Sequence, residues 1–246
     1  MIDTHAHLDA LDDPGGAITR AREAGVTRIV SIGTDPTSWA NTLDIAAEHE
    51  GVHVVVGVHP HGAAGSNEFD LLERVAAHPK VVGIGEIGLD YFRDYAPRDD
   101  QAKAFIYQLG LAKRLGMPVV IHNRAADEDT TSILRQWFDG TVVLHCFSSV
   151  GLLEDALEHG WYVSFAGNVT YKNADDLREA ARAVPSELIL AETDCPYLAP
   201  QPVRGKTNEP AYVAHTVATL ADARGEDVDE LARQIEANAA VAFGLP

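Results

Sequence analysis

Eight short apolar runs, rich in β-branched residues, recur along the chain, and each is followed by a segment with helical spacing. The runs occupy 1–7, 26–34, 51–60, 81–90, 118–124, 141–147, 161–168 and 187–196. Between them lie segments such as "PTSWANTLDIAAEHEG" and "DDQAKAFIYQLGLAKRLGMP", several closing at Gly or Pro as helices do. Eight alternations over 246 residues predict an α/β fold, a (β/α)8 TIM barrel in a single domain, 1–246. A doubly wound open sheet is the competing topology. It would carry a Gly-rich phosphate fingerprint after its first strand, and "HLDALDDPGG" is not one.

Bulk properties narrow the function. A chain that is 46% hydrophobic and 23% charged suits a packed globule rather than a disordered segment. No apolar run reaches membrane-spanning length, and the first residues lack a secretory pattern, so no membrane partner and a cytoplasmic location are expected. Cys146 and Cys195 do not make a disulfide framework. A net charge of -18 argues against tight, non-specific grip on duplex DNA. Any attraction for a phosphate polymer must come from bound cations and a few local basic residues.

In a barrel of this kind, chemistry belongs at the C-terminal ends of the strands. The first run ends in "THAH", which places His5 and His7 on one side by two-residue alternation. Run four carries Glu86, run five His122, run six His145, and run eight Glu192 and Asp194. Any one of these histidines alone is more readily a hydrogen-bonded rim residue than a ligand. Glu86 in "GIGEIG" is different, because a carboxylate in an apolar strand is costly unless paired or metal-bound. Taken jointly, the set fits a binuclear site with a bridging carboxylate. Imidazole and carboxylate donors suit Zn²⁺, Mn²⁺ or Fe²⁺ better than Mg²⁺, with Mg²⁺, Mn²⁺ and Zn²⁺ as the candidates. Alternation turns Cys146 and Cys195 away from this site, as small residues buried towards the helices.

The segments "MIDTHAHLD", "GVHP", "GEIGLDY", "PVVIHNRAADE", "HCF", "AETDCPYL" and "RGKTNEP" follow one another from residue 1 to about 210. In that order they resemble the TatD-type metal-dependent deoxyribonucleases, within the amidohydrolase-like barrels. The resemblance implies two divalent ions and hydrolysis of DNA phosphodiester bonds, often from the 3′ end, with single-stranded DNA or 3′ ends as the expected substrate. By motif, His5, His7 and Asp194 would hold one metal, and Glu86 would bridge to a second held by His122 and His145. Glu192 would be a ligand, a proton acceptor or an orienter of a histidine. Ser149 stands where the family commonly has glycine.

In this reading a metal-activated water attacks phosphorus, and Asp194 takes its proton. Glu86, Glu192 and Asp194 are therefore the expected catalytic carboxylates. His59, Arg124, Arg204 and Lys206 are the expected substrate contacts; Arg124 follows His122 on the inward side, with an ion pair to Asp127 or Glu128 as its plain alternative. For His61 an exposed loop imidazole is as good a reading as a phosphate contact. Tyr91 and Phe92 are read as stacking on a terminal base or pinning a loop. His49, His53, His78, His159 and His215 are read as structural or surface residues. A monomer is expected. The competing functions are hydrolysis of a C–N or ester bond in a small molecule or aminoacyl-tRNA, and a non-catalytic metal scaffold.

Overall fold

The computed structural model describes residues 1–64 and 68–246. Eight strands form one parallel sheet in sequence order: β1 (Ile2–Ala6), β2 (Arg28–Gly33), β3 (Val52–Val56), β4 (Val81–Asp90), β5 (Val119–Arg124), β6 (Val142–Leu144), β7 (Tyr162–Phe165) and β8 (Ile189–Ala191). The sheet curls into a nearly closed barrel. A parallel bridge between Ala6 and Cys195 joins the first strand to the chain just past the last. Two backbone hydrogen bonds cross the same seam, His7 N–H to the Cys195 carbonyl at 2.8 Å and Asp194 N–H to that of His5 at 2.9 Å. The seam therefore holds together residues from both ends of the sequence.

The crossovers are α1 (Pro14–Glu23), α2 (Pro36–Glu48), α3 (Phe69–Ala76), α4 (Arg98–Leu115), α5 (Asp127–Trp137), α6 (Leu153–His159) and α7 (Asp175–Ala183). Two helices, α8 (Val213–Arg224) and α9 (Val228–Phe243), follow β8. Several starts are written locally. Asp35 precedes Pro36 and accepts from Thr37 N–H at 2.9 Å and Ser38 N–H at 3.1 Å, capping α2. Asp227 caps α9 in the same way. The end of α4 is equally local, because Gly116 takes the left-handed conformation that stops it. Strands buried on both faces explain why the runs are nearly continuous in Val and Ile, and their side chains fill one core with the inner helix faces.

The strand positions agree with the eight runs, but β3, β6, β7 and β8 stop three to five residues before those runs do. Past β6 and β8 the backbone turns out of the ladder, with Cys146 at φ 45° and Asp194 at φ 55°. A stretch can remain apolar after its strand partners run out, so hydrophobicity overstates strand length there. Among the described residues, no helix is long and apolar enough to cross a membrane.

Candidate metal centre

Two irregularities in the ladder aim the central side chains. The register between β1 and β2 shifts between Asp3 and Ala6, and that between β4 and β5 shifts between Gly85 and Ile87. Each shift adds one residue to the longer side, bulging β1 beside His5 and β4 at Glu86. Such bulges bend a strand and re-aim a side chain. At β4 the bulge is followed by Gly88, whose φ of 136° brings the strand against His122. A β-carbon there would lie 2.1 Å from the His122 carbonyl oxygen, so only glycine fits.

Glu86 is 3% exposed and stands at the middle of a ring of imidazoles. Its Oε2 faces His5 Nε2 at 3.6 Å and His7 Nε2 at 3.7 Å. Its Oε1 faces His122 Nδ1 at 2.6 Å, His145 Nε2 at 2.9 Å and His59 Nε2 at 3.3 Å. Asp194 Oδ1 closes the first group, 3.5 Å from His7 Nε2 and 3.9 Å from His5 Nε2. The two oxygens of one buried carboxylate thus address two separate sets of donors. Burial pushes the Glu86 carboxyl up, but the imidazoles of His145 and His59 and hydrogen bonds from His122 and His145 hold it well below the ordinary carboxylate value.

A second layer holds the imidazoles. Glu192 Oε1 accepts from His145 Nδ1 at 2.9 Å and from the Cys146 N–H at 2.8 Å. Asp90 Oδ2 lies 3.2 Å from His122 Nε2 and 2.8 Å from His61 Nε2. Its other oxygen accepts the Phe92 and Arg93 N–H groups at 3.0 and 2.8 Å. Asp3 braces the seam, accepting from the Thr193 hydroxyl at 2.6 Å and its N–H at 2.9 Å. Burial pushes the Asp3 carboxyl up to about 8 despite those bonds.

Two observations test whether this set suits a metal. His5 is fully buried, and neither of its ring nitrogens has a hydrogen-bond partner. Buried polar atoms left without partners are rare in folded proteins and want a ligand. In addition, His5–His7–Glu86, His59–Glu86–His122 and His5–His145–Glu192 each present donor atoms within 4.8 Å of one another. The residues fit divalent cations.

All six sequence-predicted ligand positions, His5, His7, Glu86, His122, His145 and Asp194, come together here. His59, expected only as a loop contact, lies against Glu86 itself. Burial pushes its imidazole down to about 4. His61 is anchored by Asp90 rather than free on a loop.

Arg124 departs from expectation, because its side chain is exposed and stacks over Phe92 at 4.1 Å instead of pointing inward. It is the last residue of β5, still paired with Asp90 at the rim, where the Phe92 ring offers its guanidinium a face. Arg204 lies over the Tyr171 ring at 3.8 Å, and Lys206 is exposed on the same loop. Tyr91 is pinned, its hydroxyl donating to Asp129 at 2.7 Å. Ser149 donates its hydroxyl to Asp127. Cys195 is buried as expected, but Cys146 is half-buried within electrostatic reach of Asp194 and Glu192. Alternation fails at Cys146 because β6 has already ended.

Sequence reasoning missed Asp90 and Asp3. Both had a signal, since Asp90 shares the two-residue alternation of Glu86 and Gly88, and Asp3 that of His5 and His7.

A sequence profile of the family described as TatD related DNase matches residues 2–244. The chain belongs to that family. Within it, the chain is 39% identical over 260 residues to the metal-dependent hydrolase TatD of Mycobacterium tuberculosis, covering 100% of this chain and 98% of that one. It is 37% identical over 244 residues to a 3′-5′ ssDNA/RNA exonuclease TatD of Erwinia amylovora, covering 95% and 94% of the two. The crystal structure of YjjV, a TatD homologue from Escherichia coli, superposes with a TM-score of 0.91 at 29% identity, covering 100% of this chain and 98% of the other. TatD membership makes the protein a metal-dependent hydrolase acting on phosphodiester bonds.

Proposed function

We propose that the protein is an exonuclease that removes nucleotides from the 3′ end of single-stranded DNA with the help of two divalent cations. The observation that carries this reading is the division of Glu86, with His5 and His7 facing Oε2 and His122 and His145 facing Oε1. His5, His7 and Asp194 would hold one cation, His122 and His145 the other, and Glu86 would bridge them. When bound, such a pair lowers the pKa of a water and neutralises charge on the phosphoryl oxygens. The donor set favours Zn²⁺ or Mn²⁺ over Mg²⁺.

The protein's own groups divide the remaining work. Asp194 lies at the mouth beside His7 and takes the proton of the attacking water. Glu192 and Asp90 fix the tautomers of His145 and His122 by accepting from the nitrogens turned away from Glu86. His59 is neutral at pH 7 and contacts a phosphoryl oxygen by hydrogen bonding rather than charge. Arg124, Arg204 and Lys206 are exposed and, among the described residues, have no carboxylate within 4 Å. They supply positive charge at the rim of an otherwise acidic molecule. The relatives named as ssDNA/RNA exonucleases support this substrate class.

The test is hydrolysis of 3′-labelled and 5′-labelled single strands by chelator-stripped protein reloaded with Mg²⁺, Mn²⁺ or Zn²⁺. Metal-dependent stepwise loss from the 3′ end is expected. Metal-loaded protein that cleaves amide or ester substrates but no strand would overturn the reading.

A further inference from the structure

Among the described residues, the aromatic rings more than half exposed are Phe92 at 63%, Tyr95 at 65% and Tyr197 at 57%, and all three lie on loops at the C-terminal mouth of the barrel. Exposing such rings to water is unfavourable, and the coincidence with the metal centre calls for an occupant. Tyr95 follows β4 and stands edge-on to His61 at 4.8 Å, with His61 sharing Asp90 with His122. Tyr197 follows β8 and stands edge-on to His7 at 6.0 Å. In the sheet order β4 and β8 are half a barrel apart, so the two tyrosines face the centre from opposite sides. Glu86 lies between His7, which Tyr197 touches, and His122, which shares Asp90 with the His61 that Tyr95 touches.

Each aromatic side has its own cations. Arg124 lies over Phe92 at 4.1 Å, and Arg93 is 5.9 Å from the same ring. Arg204 and Lys206 sit on the loop that follows Tyr197. Ring faces alternating with guanidinium groups are what a single strand of nucleic acid requires, because every unpaired base has a face to stack and every linkage a charge. A duplex offers its bases no such access.

We propose that Tyr95 and Tyr197, with Phe92 beside the former, are stacking platforms for the bases on the two sides of the scissile phosphate. This rests on the exonuclease reading and deepens it. The enzyme would recognise unpaired bases through their faces, with little regard to sequence. One platform would hold the departing nucleotide and the other would hold the strand that remains.

Binding tests the proposal without requiring cleavage. Fluorescence anisotropy of metal-loaded full-length protein with a nuclease-resistant phosphorothioate oligothymidylate gives the affinity. Tyr95→Ala and Tyr197→Ala should each weaken binding roughly five- to a hundredfold, with metal content unchanged. Tyr95→Phe and Tyr197→Phe should stay close to wild type, since the ring rather than the hydroxyl does the stacking. An abasic residue at the matching position should weaken wild-type binding comparably and add little further loss in the Ala variant. Ala variants that bind as wild type, or an abasic strand bound as tightly as an intact one, would overturn the platforms. Failure of the exonuclease reading would look different: an ordinary phosphodiester strand would bind through these rings and remain uncut with every metal.

Discussion

Glu192 and His145 form a carboxylate–imidazole pair 2.9 Å apart, fully buried on the carboxylate side, that turns the other ring nitrogen of His145 toward Glu86 at 2.9 Å. Only Oε1 of Glu192 is engaged, because Oε2 is buried without a partner. A glutamine can place its single carbonyl oxygen where Oε1 now accepts. Glu192→Ala should therefore lower the affinity for the more weakly bound cation about 10–100-fold, and Glu192→Gln should lose much less. Titration of stripped protein by calorimetry gives both values. Equal losses in the two variants would instead make the second oxygen a direct metal ligand.

Asp90 presents the opposite case, since both of its oxygens accept two donors each. Asparagine has one acceptor oxygen and would turn an NH₂ group toward other donors. Asp90→Asn should thus weaken metal binding about as severely as Asp90→Ala, on the order of 10–100-fold. His61→Ala should cost less, because His122 would keep its partner. Calorimetric titration of the three variants checks the order. Wild-type affinity in Asp90→Asn would show that His122 needs no orienting carboxylate.

The site and fold were legible in the sequence to different depths. Strand positions could be read because parallel strands covered on both faces must be apolar throughout, as "GVHVVVGV" is. His5, His7 and Glu86 could be read because alternation and the cost of a buried charge are local arguments. Strand ends could not, because the chain past β6 and β8 stays buried after pairing stops. The direction of Cys146 failed for that reason, and that of Arg124 because the Phe92 ring that holds it comes from another segment. The sharing of Asp90 between His61 and His122 depends on three separate segments meeting in space, which no single window of sequence contains.

Gly88 tests how far the ladder sets the centre. With a β-carbon 2.1 Å from the His122 carbonyl and φ at 136°, Gly88→Ala must push β4 away from β5. The expected cost is at least about 2 kcal/mol. That corresponds to a Tm lower by at least roughly 4–8 °C for a chain of this size. Metal affinity should fall with it, because Glu86 and His122 sit on the strands that separate. A variant with wild-type Tm would place the strain elsewhere.

Metal uptake should also be coupled to protons. In the metal-free protein burial disfavours the charged form of His145, but the carboxylates of Glu86 and Glu192 outweigh it and raise its pKa well above the ordinary 6.5. His145 is then protonated at neutral pH and must lose that proton to become a ligand. Apparent affinity should fall as pH is lowered and continue to rise with pH above 6.5, the ordinary imidazole value. Calorimetry in buffers of different ionisation enthalpy reads the proton release directly. Uptake with no proton release near pH 7 would contradict it.

The most direct measurement is the metal content of reconstituted protein by mass spectrometry, for the wild type and for Glu86→Gln, at matched free Zn²⁺ or Mn²⁺. A bridging role for Glu86 requires two ions per chain in the wild type and one or none in Glu86→Gln, with strand hydrolysis lost in parallel. One ion in both proteins, or two in both with hydrolysis intact, would contradict a centre built on that carboxylate.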